Sequence, residues 1–263
     1  MSCFMSLWVR STLALVVAAS FSVRTADAQI FDDFSDLNDT ANPTWTHLSG
    51  LVLSSGQGWN ASSGQYNLTA PNNGAAQGSN GQLGFVGSYV GTSFTDSTVT
   101  ADFVQSSTGA AYGVASRLNG SNALVGLSGY AYVYEPFAAG GLGEVVLYRI
   151  DPTTLIHDIG SQQVTLDVAN KDYAFSLEII GNQLHGRVYE IGGGLVAEKM
   201  ATDSTYASGF PGLFGYSAAA AGVPTNYTVD NFSAQAPVPE PATAMLAALS
   251  LAGVAALRRR SHA

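Results

Sequence analysis

Apolar and polar residues alternate along most of residues 29–235, with the period of two that is typical of strands buried on one face. In Ser97–Val104, the apolar Val99, Ala101 and Phe103 alternate with polar residues. Comparable short runs predict strands over Phe31–Phe34, Leu51–Leu53, Gly64–Leu68, Ala111–Leu118, Ala123–Leu127, Tyr130–Tyr134, Glu144–Ile150, Val164–Val168, Tyr173–Ile180, Gln183–Glu190, Leu195–Thr202, Gly212–Ser217 and Asn226–Ala234.

Turn signals separate these runs. Asn119–Asn122 and Gly181-Asn182 are typical of hairpin turns, and Gly192–Gly194 predicts a third turn. Many short strands without a long helical stretch predict an all-β fold, an antiparallel β-sandwich formed by residues 29–235 as one domain.

The first 28 residues have a different pattern. Arg10 supplies a positive charge, Leu13–Ala19 is a short apolar run, and Ala26-Asp27-Ala28 has the A-x-A form of a cleavage site. Together they predict a secretory signal peptide over residues 1–28.

The last residues, 236–263, also stand apart. Ala242–Leu257 contains no charged residue, and Arg258, Arg259 and Arg260 follow it. Sixteen helical residues span roughly 24 Å, which predicts one transmembrane helix with the arginines on the cytoplasmic side. A buried amphipathic helix is the alternative, but no polar face can be drawn on this segment.

Charge and cysteine content exclude several classes of function. Between the two terminal segments, five basic side chains face seventeen acidic ones, a formal net charge of −12. Such a surface repels phosphate backbones, so nucleic acid is excluded as a partner. Cys3 is the only cysteine and lies in the predicted signal peptide, which excludes disulfides, thiolate metal sites and a cysteine nucleophile from the exported domain.

The C-terminal segment resembles the PEP-CTERM sorting signal of exported bacterial proteins. The matching parts are Val238-Pro239-Glu240-Pro241, the apolar run and the arginine cluster. The resemblance implies transient anchoring in the inner membrane and cleavage near Glu240–Pro241 by an exosortase-type membrane transpeptidase. It also implies a final place at the cell surface or in the extracellular matrix of a Gram-negative-type bacterium, commonly in the company of polysaccharide.

The domain between the segments resembles the concanavalin A-like, laminin-G-type jelly roll. The matching pieces, in order, are Phe31–Phe34, Ser63–Tyr66, Thr100–Phe103, Gly113–Asn119, Tyr173–Val188, Ala201–Gly215 and Val229–Phe232. The resemblance implies that the first and last strands lie side by side.

The same resemblance implies a structural Ca²⁺, since related sandwiches hold one with an aspartate of the last strand and carbonyl groups of early strands. The corresponding positions are Asp32, Gly64 and Asp230. Oxygen ligands of this kind suit calcium. The alternative is that Asp230 only places a charge at a strand edge and so discourages aggregation.

A ligand-binding surface is predicted from tyrosines. Tyr130, Tyr132 and Tyr134 share one face of a strand, where their rings would cover the apolar face of a sugar. Tyr112, Arg117 and Tyr148 are assigned to the same polysaccharide-binding platform. The alternative is that tyrosine is simply a good strand former.

No arrangement for catalysis emerges from the spacing. No strand carries acidic residues in the E-x-D-x-x-E pattern of sandwich-fold glycosidases, and His47, His157 and His185 are scattered. The sequence therefore predicts an exported, non-catalytic module that associates with polysaccharide. The alternatives are a structural matrix protein without a small ligand, and a glycoside hydrolase or lyase whose catalytic residues are distant in sequence.

Overall fold

The structure, a computed structural model, describes residues 29–49, 57–70, 85–104, 106, 108–120, 126–136, 142–152, 155–217 and 225–237. Its elements there are strands, in chain order β1 (Gln29–Asp32), β2 (Trp45–Ser49), β3 (Gly58–Asn60), β4 (Tyr66–Ala70), β5 (Phe85–Val90), β6 (Ser97–Val104), β7 (Ala110–Asn119), β8 (Ser128–Glu135), β9 (Glu144–Asp151), β10 (Leu155–Gln163), β11 (Tyr173–Ile180), β12 (Gln183–Glu190), β13 (Leu195–Thr202), β14 (Phe210–Ser217) and β15 (Thr225–Gln235). No helix within these ranges is long and apolar enough to cross a membrane.

The strands form two antiparallel sheets. The eight-stranded sheet has the order β13-β12-β11-β6-β15-β4-β3, and β1 pairs with β15. The seven-stranded sheet has the order β10-β9-β8-β7-β14-β5-β2. The predicted all-β antiparallel sandwich is confirmed.

The main core lies between the two sheets. Phe103 of the eight-stranded sheet stacks on Tyr112 of the seven-stranded sheet with ring centroids 4.8 Å apart, and Phe175 meets Phe103 edge-on at 5.0 Å. The predicted alternation in β6 is confirmed, since Val99, Ala101 and Phe103 are at most 2% exposed. Offset and edge-on ring pairs of this kind stabilise a core beyond their buried area.

The last strand lies at the centre of its sheet. β15 pairs with β6 on one side, and on the other with β4 along its first half and with β1 along its second half. Gln29 lies opposite Gln235, so the predicted neighbourhood of the first and last strands is confirmed. The chain therefore enters and leaves the sandwich at one end, which we call the terminal end. The opposite end, which holds Tyr173 and Glu190, is the far end.

Some strand predictions were wrong. Residues 164–168 form no strand, nor do Gly126 and Leu127, whereas β2, β3, β5 and the edge strand β10 were not predicted. The predicted strand Leu51–Leu53 lies outside the described residues. The apolar Val164 and Leu166 pack on the core from an unpaired segment, held by bonds from the Val164 amide to the Gly143 carbonyl and from the Leu166 amide to the Tyr134 hydroxyl. β10 has only three apolar residues in nine and contains a bulge at Asp158/Gly160, so it lacks the alternation of a half-buried strand.

The candidate site on the seven-stranded sheet

The predicted tyrosine platform does not face solvent, and on this point the prediction was wrong. Tyr112, Tyr130, Tyr132 and Tyr134 are at most 2% exposed and belong to the core between the sheets. Their shared face was inferred correctly, but that face of β8 points toward the eight-stranded sheet. Period-two spacing identifies a common face without revealing which side of the sheet it lies on.

Arg117 is also internal, with an exposed fraction of 1%. Its guanidinium donates hydrogen bonds to the carbonyl oxygens of Thr95 (2.8 Å), Tyr206 (2.7 Å) and Gly181 (2.8 Å). Burial lowers its pKa. These bonds hold three loops together at the terminal end, so Arg117 has a structural role and does not present its charge to a ligand.

A second polar cluster lies near Arg117. Arg149 donates to Asp151 (3.1 Å) and to Asp203 (3.0 Å), and the Tyr130 hydroxyl donates to Asp203 at 2.6 Å. Although burial opposes it, hydrogen bonds from Tyr130, Thr205 and Arg149 hold the pKa of Asp203 at about 2. Because these side chains hydrogen-bond to one another, the cluster holds residues 203–206, which precede β14, in place.

Tyr148 is separated from the other predicted platform residues. It lies opposite Ala131 in the β8–β9 register, and therefore on the side of the seven-stranded sheet that faces away from the other sheet. We call this side the apolar outer face. Its buried residues all come from the seven-stranded sheet and the loop before β8: Leu48, Phe85, Ala111, Ala115, Leu118, Leu127, Ala131, Val133, Ile150, Phe214 and Tyr216.

Glu135 is the polar centre of the apolar outer face. It ends β8 and is only 7% exposed. The hydroxyls of Tyr148 on β9 and Tyr216 on β14 both donate to its Oε1. Burial raises the pKa of both tyrosines, and the nearby carboxylate raises them further. A buried carboxyl that accepts two phenol hydroxyls is a fixed, desolvated acceptor in apolar surroundings.

A second carboxyl stands beside it. Glu144 is directly opposite Glu135 in the β8–β9 pairing. Its pKa is raised by burial first, then by the charge of Glu135 and, more weakly, by Asp158, while a hydrogen bond with Ser161 opposes the rise. Glu135, Glu144 and Asp158 come from three neighbouring strands, β8, β9 and β10. Spacing within a single strand therefore does not reveal that they are close together.

Aromatic rings occupy the other half of the apolar outer face. Tyr89 on β5 and Phe210 on β14 are half-buried and stack with centroids 5.0 Å apart at an interplanar angle of 17°. The face therefore combines ring surfaces with carboxyl acceptors. Its described residues include no lysine or arginine.

The predicted calcium ligands are not gathered into one carboxylate site. Asp32 lies inside the sandwich, where its two oxygens accept hydrogen bonds from the Phe34 amide (2.8 Å) and the Trp45 indole (2.7 Å). The predicted ligand from this strand is a backbone carbonyl, and these side-chain bonds do not test it. Asp230 accepts the Asn231 amide at 2.8 Å, and Gly64 forms a turn with Ala61. No group of three or more potential side-chain ligands occurs within the described ranges, and calcium binding through Asp32, Gly64 and Asp230 stays a prediction.

The predicted sorting residues Val238, Pro239, Glu240, Pro241, Arg258, Arg259 and Arg260 lie outside the described residues. Residues 237–260 match the family profile of the PEP-CTERM protein-sorting motif. The motif indicates that the protein is exported and sorted to the cell envelope, which confirms that part of the sequence analysis.

Solved structures share the fold at low sequence identity. The carbohydrate-binding module CBM66 from Bacillus subtilis is similar with a TM-score of 0.50 and 16% identity, over 73% of this chain and 95% of the module. A prokaryotic β-1,3-1,4-glucanase (lichenase) from a mouse hindgut metagenome has a TM-score of 0.54 and 11% identity, over 80% of this chain and 100% of that chain. Basic winged bean lectin, solved with Tn-antigen, has a TM-score of 0.52 and 9% identity, over 81% and 99% of the two chains. No curated protein matches by sequence. These likenesses show the jelly-roll fold alone.

Proposed function

We propose that this protein is an exported, non-catalytic β-sandwich that associates with polysaccharide through its apolar outer face. In this proposal, residues 237–260 retain it transiently at the inner membrane until an exosortase-type transpeptidase releases it to the cell surface or extracellular matrix. The observation that carries the binding proposal is the stacked pair of Tyr89 and Phe210, whose rings stay part-exposed on this sheet face.

Part-exposed aromatic rings suit sugars, because a ring covers the apolar C–H face of a pyranose. The similar structures include a carbohydrate-binding module, a lichenase and a lectin, which supports the same class of ligand. Since the described part of this face carries carboxyls and no basic side chain, the proposal favours neutral polysaccharides over uronate or sulfated ones.

The binding test uses the full chain in detergent and a panel of polysaccharides. Lichenan and chitin serve as neutral probes, and alginate serves as the acidic one. We expect retention on a neutral polysaccharide and none on alginate. Tyr89→Ala should weaken retention at least about tenfold, the loss expected when a stacking ring is removed.

A matched variant controls for nonspecific effects. Tyr189 is exposed on β12 of the other sheet, so Tyr189→Ala should retain the wild-type affinity. Absence of retention on every polysaccharide would overturn the binding proposal. Equal losses in the two tyrosine variants would show that the polysaccharide does not use the apolar outer face.

One observation favours a second candidate function, a glycoside hydrolase. Glu135 and Glu144 are cross-strand partners, and the pKa of Glu144 is raised. Directly opposed residues have Cβ atoms roughly 5 Å apart, and glycosidases pair one carboxylate with one carboxylic acid at short range. Release of reducing sugar from lichenan, abolished by Glu144→Gln, would establish the hydrolase in place of the non-catalytic module.

A further inference from the structure

The sorting motif begins where the folded sheet ends. β15 finishes at Gln235, which is paired with Gln29 on one side and with Thr98 on the other. Ala236 still packs against the core, and the matched motif starts at residue 237. The chain therefore has no spacer between a central strand of the sandwich and the sorting motif.

This junction limits how far the sandwich stands from the uncharged run. Residues 237–241 separate Ala236 from the start of that run at Ala242. Five residues reach at most about 18 Å, whatever conformation they adopt. If the uncharged run enters a bilayer, the terminal end of the sandwich is held within that distance of it.

The far end lies one strand length away. The turn at Gly181-Asn182 is at the terminal end and the turn at Gly192–Gly194 is at the far end, and the eight residues of β12 connect them. At about 3.3 Å per residue, the two turns are roughly 26 Å apart.

The carboxyls of the candidate site belong to the far end. Tyr134, next to Glu135, pairs with Tyr112, whose ring stacks on Phe103. Phe103 in turn lies opposite Tyr173, a residue of the far end. Glu135 and its partner Glu144 are thus placed away from the terminal end.

We propose that the terminal end is the surface of this sandwich that faces the lipid bilayer. Glu135 and Glu144 then lie away from the bilayer, whereas Phe210, opposite Leu118, lies on the half of the seven-stranded sheet nearer to it. The inference rests on the membrane retention in the proposed function. The exposed apolar side chain of Ile180 (47% exposed) lies beside the turn at the terminal end and suits an interface of this kind. Phe31 (54% exposed) lies opposite Ser233, on the outer side of the eight-stranded sheet.

The far end also carries exposed apolar residues that would suit contact with lipid. Tyr189, Ile191, Leu195 and Val196 are exposed around the β12–β13 turn. If the terminal end faces the bilayer, the β12–β13 turn stays out of the lipid, because it is one strand length farther from the sorting motif. A sandwich lying on its side would bring both turns to the lipid, which gives the experiment a clear opposing result.

The experiment compares the two turns in the full chain. Cys3 is the only cysteine, so a Cys3→Ser background allows single labels at Asn182→Cys and Gly194→Cys. Asn182 is exposed, and a Cβ at Gly194 meets no atom within 4 Å. Each variant carries a fluorophore in vesicles of phosphatidylethanolamine and phosphatidylglycerol that contain a lipid with a nitroxide head group.

We expect the label at residue 182 to be quenched at least twofold more than the label at residue 194. Inserting about twenty Gly and Ser residues between Ala236 and Pro237 should remove the difference, since a flexible linker of that length spans roughly 25 Å. Equal quenching without the linker, or stronger quenching at residue 194, would overturn the proposed orientation.

Flotation of the same vesicles separates this inference from its premise. If the chain floats with the vesicles but shows no difference between the labels, only the orientation is wrong. If the chain does not float, membrane retention fails and the orientation fails with it. The polysaccharide test of the binding face is independent of both results.

Discussion

The two outer faces of the sandwich differ in composition, although both belong to antiparallel sheets of similar size. On the eight-stranded sheet, polar side chains point away from the core. Thr100 is bonded to Ser233, Asp102 accepts from Asn231, and Arg187 donates to Glu178. We call this side the polar outer face. On the seven-stranded sheet, the corresponding positions are mostly aliphatic or aromatic and buried.

The two faces differ in what a charged side chain indicates about function. On the polar outer face, Arg187 donates to Glu178 at 3.1 Å with both side chains partly exposed, which is ordinary surface chemistry. On the apolar outer face, Glu135 is surrounded by buried apolar residues and needs two tyrosine hydroxyls as partners. A desolvated carboxyl in such surroundings is a mark of a functional site more often than a surface ion pair is.

The largest expected effect is at Glu135. Glu135→Ala leaves the Tyr148 and Tyr216 hydroxyls without their acceptor and opens a cavity, so it should lower the free energy of unfolding by about 3 kcal/mol. Glu178→Ala, the matched change on the polar outer face, should cost about 0.5 kcal/mol or less. Urea denaturation of the full chain in detergent measures both.

Similar losses in the two variants would show that the two outer faces do not differ energetically. If Glu135→Ala lowers the m-value without shifting the denaturation midpoint, the substitution has instead changed the denatured state.

The polar outer face makes a smaller, pH-dependent contribution. Burial raises the pKa of Asp102, and the nearby charges of Asp230 and Asp172 raise it further, against a hydrogen bond from Asn231. The folded state therefore holds the Asp102 proton more tightly than the unfolded state, so stability falls as the pH rises from 3.8 through the raised pKa. Asp102→Asn should increase the free energy of unfolding at pH 7 by on the order of 0.5 kcal/mol, and the gain should vanish toward pH 3.

Asp33 supplies the control of opposite sign. Hydrogen bonds with Ser35 lower its pKa, so Asp33→Asn should destabilise the protein at pH 7 and have less effect in acid. Denaturation midpoints at several pH values measure both variants. A gain at Asp102 that persists unchanged at pH 3 would contradict the assigned cause.

The contrast between the faces also explains what the sequence predicted. Alternation predicts the half-exposed strands, such as β6, because one face of each is polar. β8 is buried on both faces, and the apolar Ala131 and Val133 between its tyrosines already indicate this. That signal predicts a strand with no solvent-exposed face, on which the tyrosines form no open platform and Glu135 lies on the face opposite to them.

The remaining part of the site depends on register, which no single strand reveals. Tyr148 meets Glu135 only because β9 pairs with β8 with Tyr148 opposite Ala131. Tyr216 reaches the same carboxyl from β14, which is 81 residues away in sequence. Spacing within one segment carries no information on such contacts.

The smallest expected effect is a change in the pKa of Glu144, and it tests whether the apolar outer face couples its carboxyls. Burial and the charge of Glu135 raise the pKa of Glu144 above its ordinary value of 4.5. Glu135→Gln removes that charge while it retains an oxygen that accepts a tyrosine hydroxyl, so the Glu144 pKa should fall toward 4.5 without returning to it, because burial persists. Titration of the Glu144 side-chain carboxyl by NMR measures the change, and Glu178→Gln on the polar outer face should leave the pKa unmoved. An unchanged Glu144 pKa in Glu135→Gln would show that the two carboxyls act independently, which would also remove the main argument for the hydrolase.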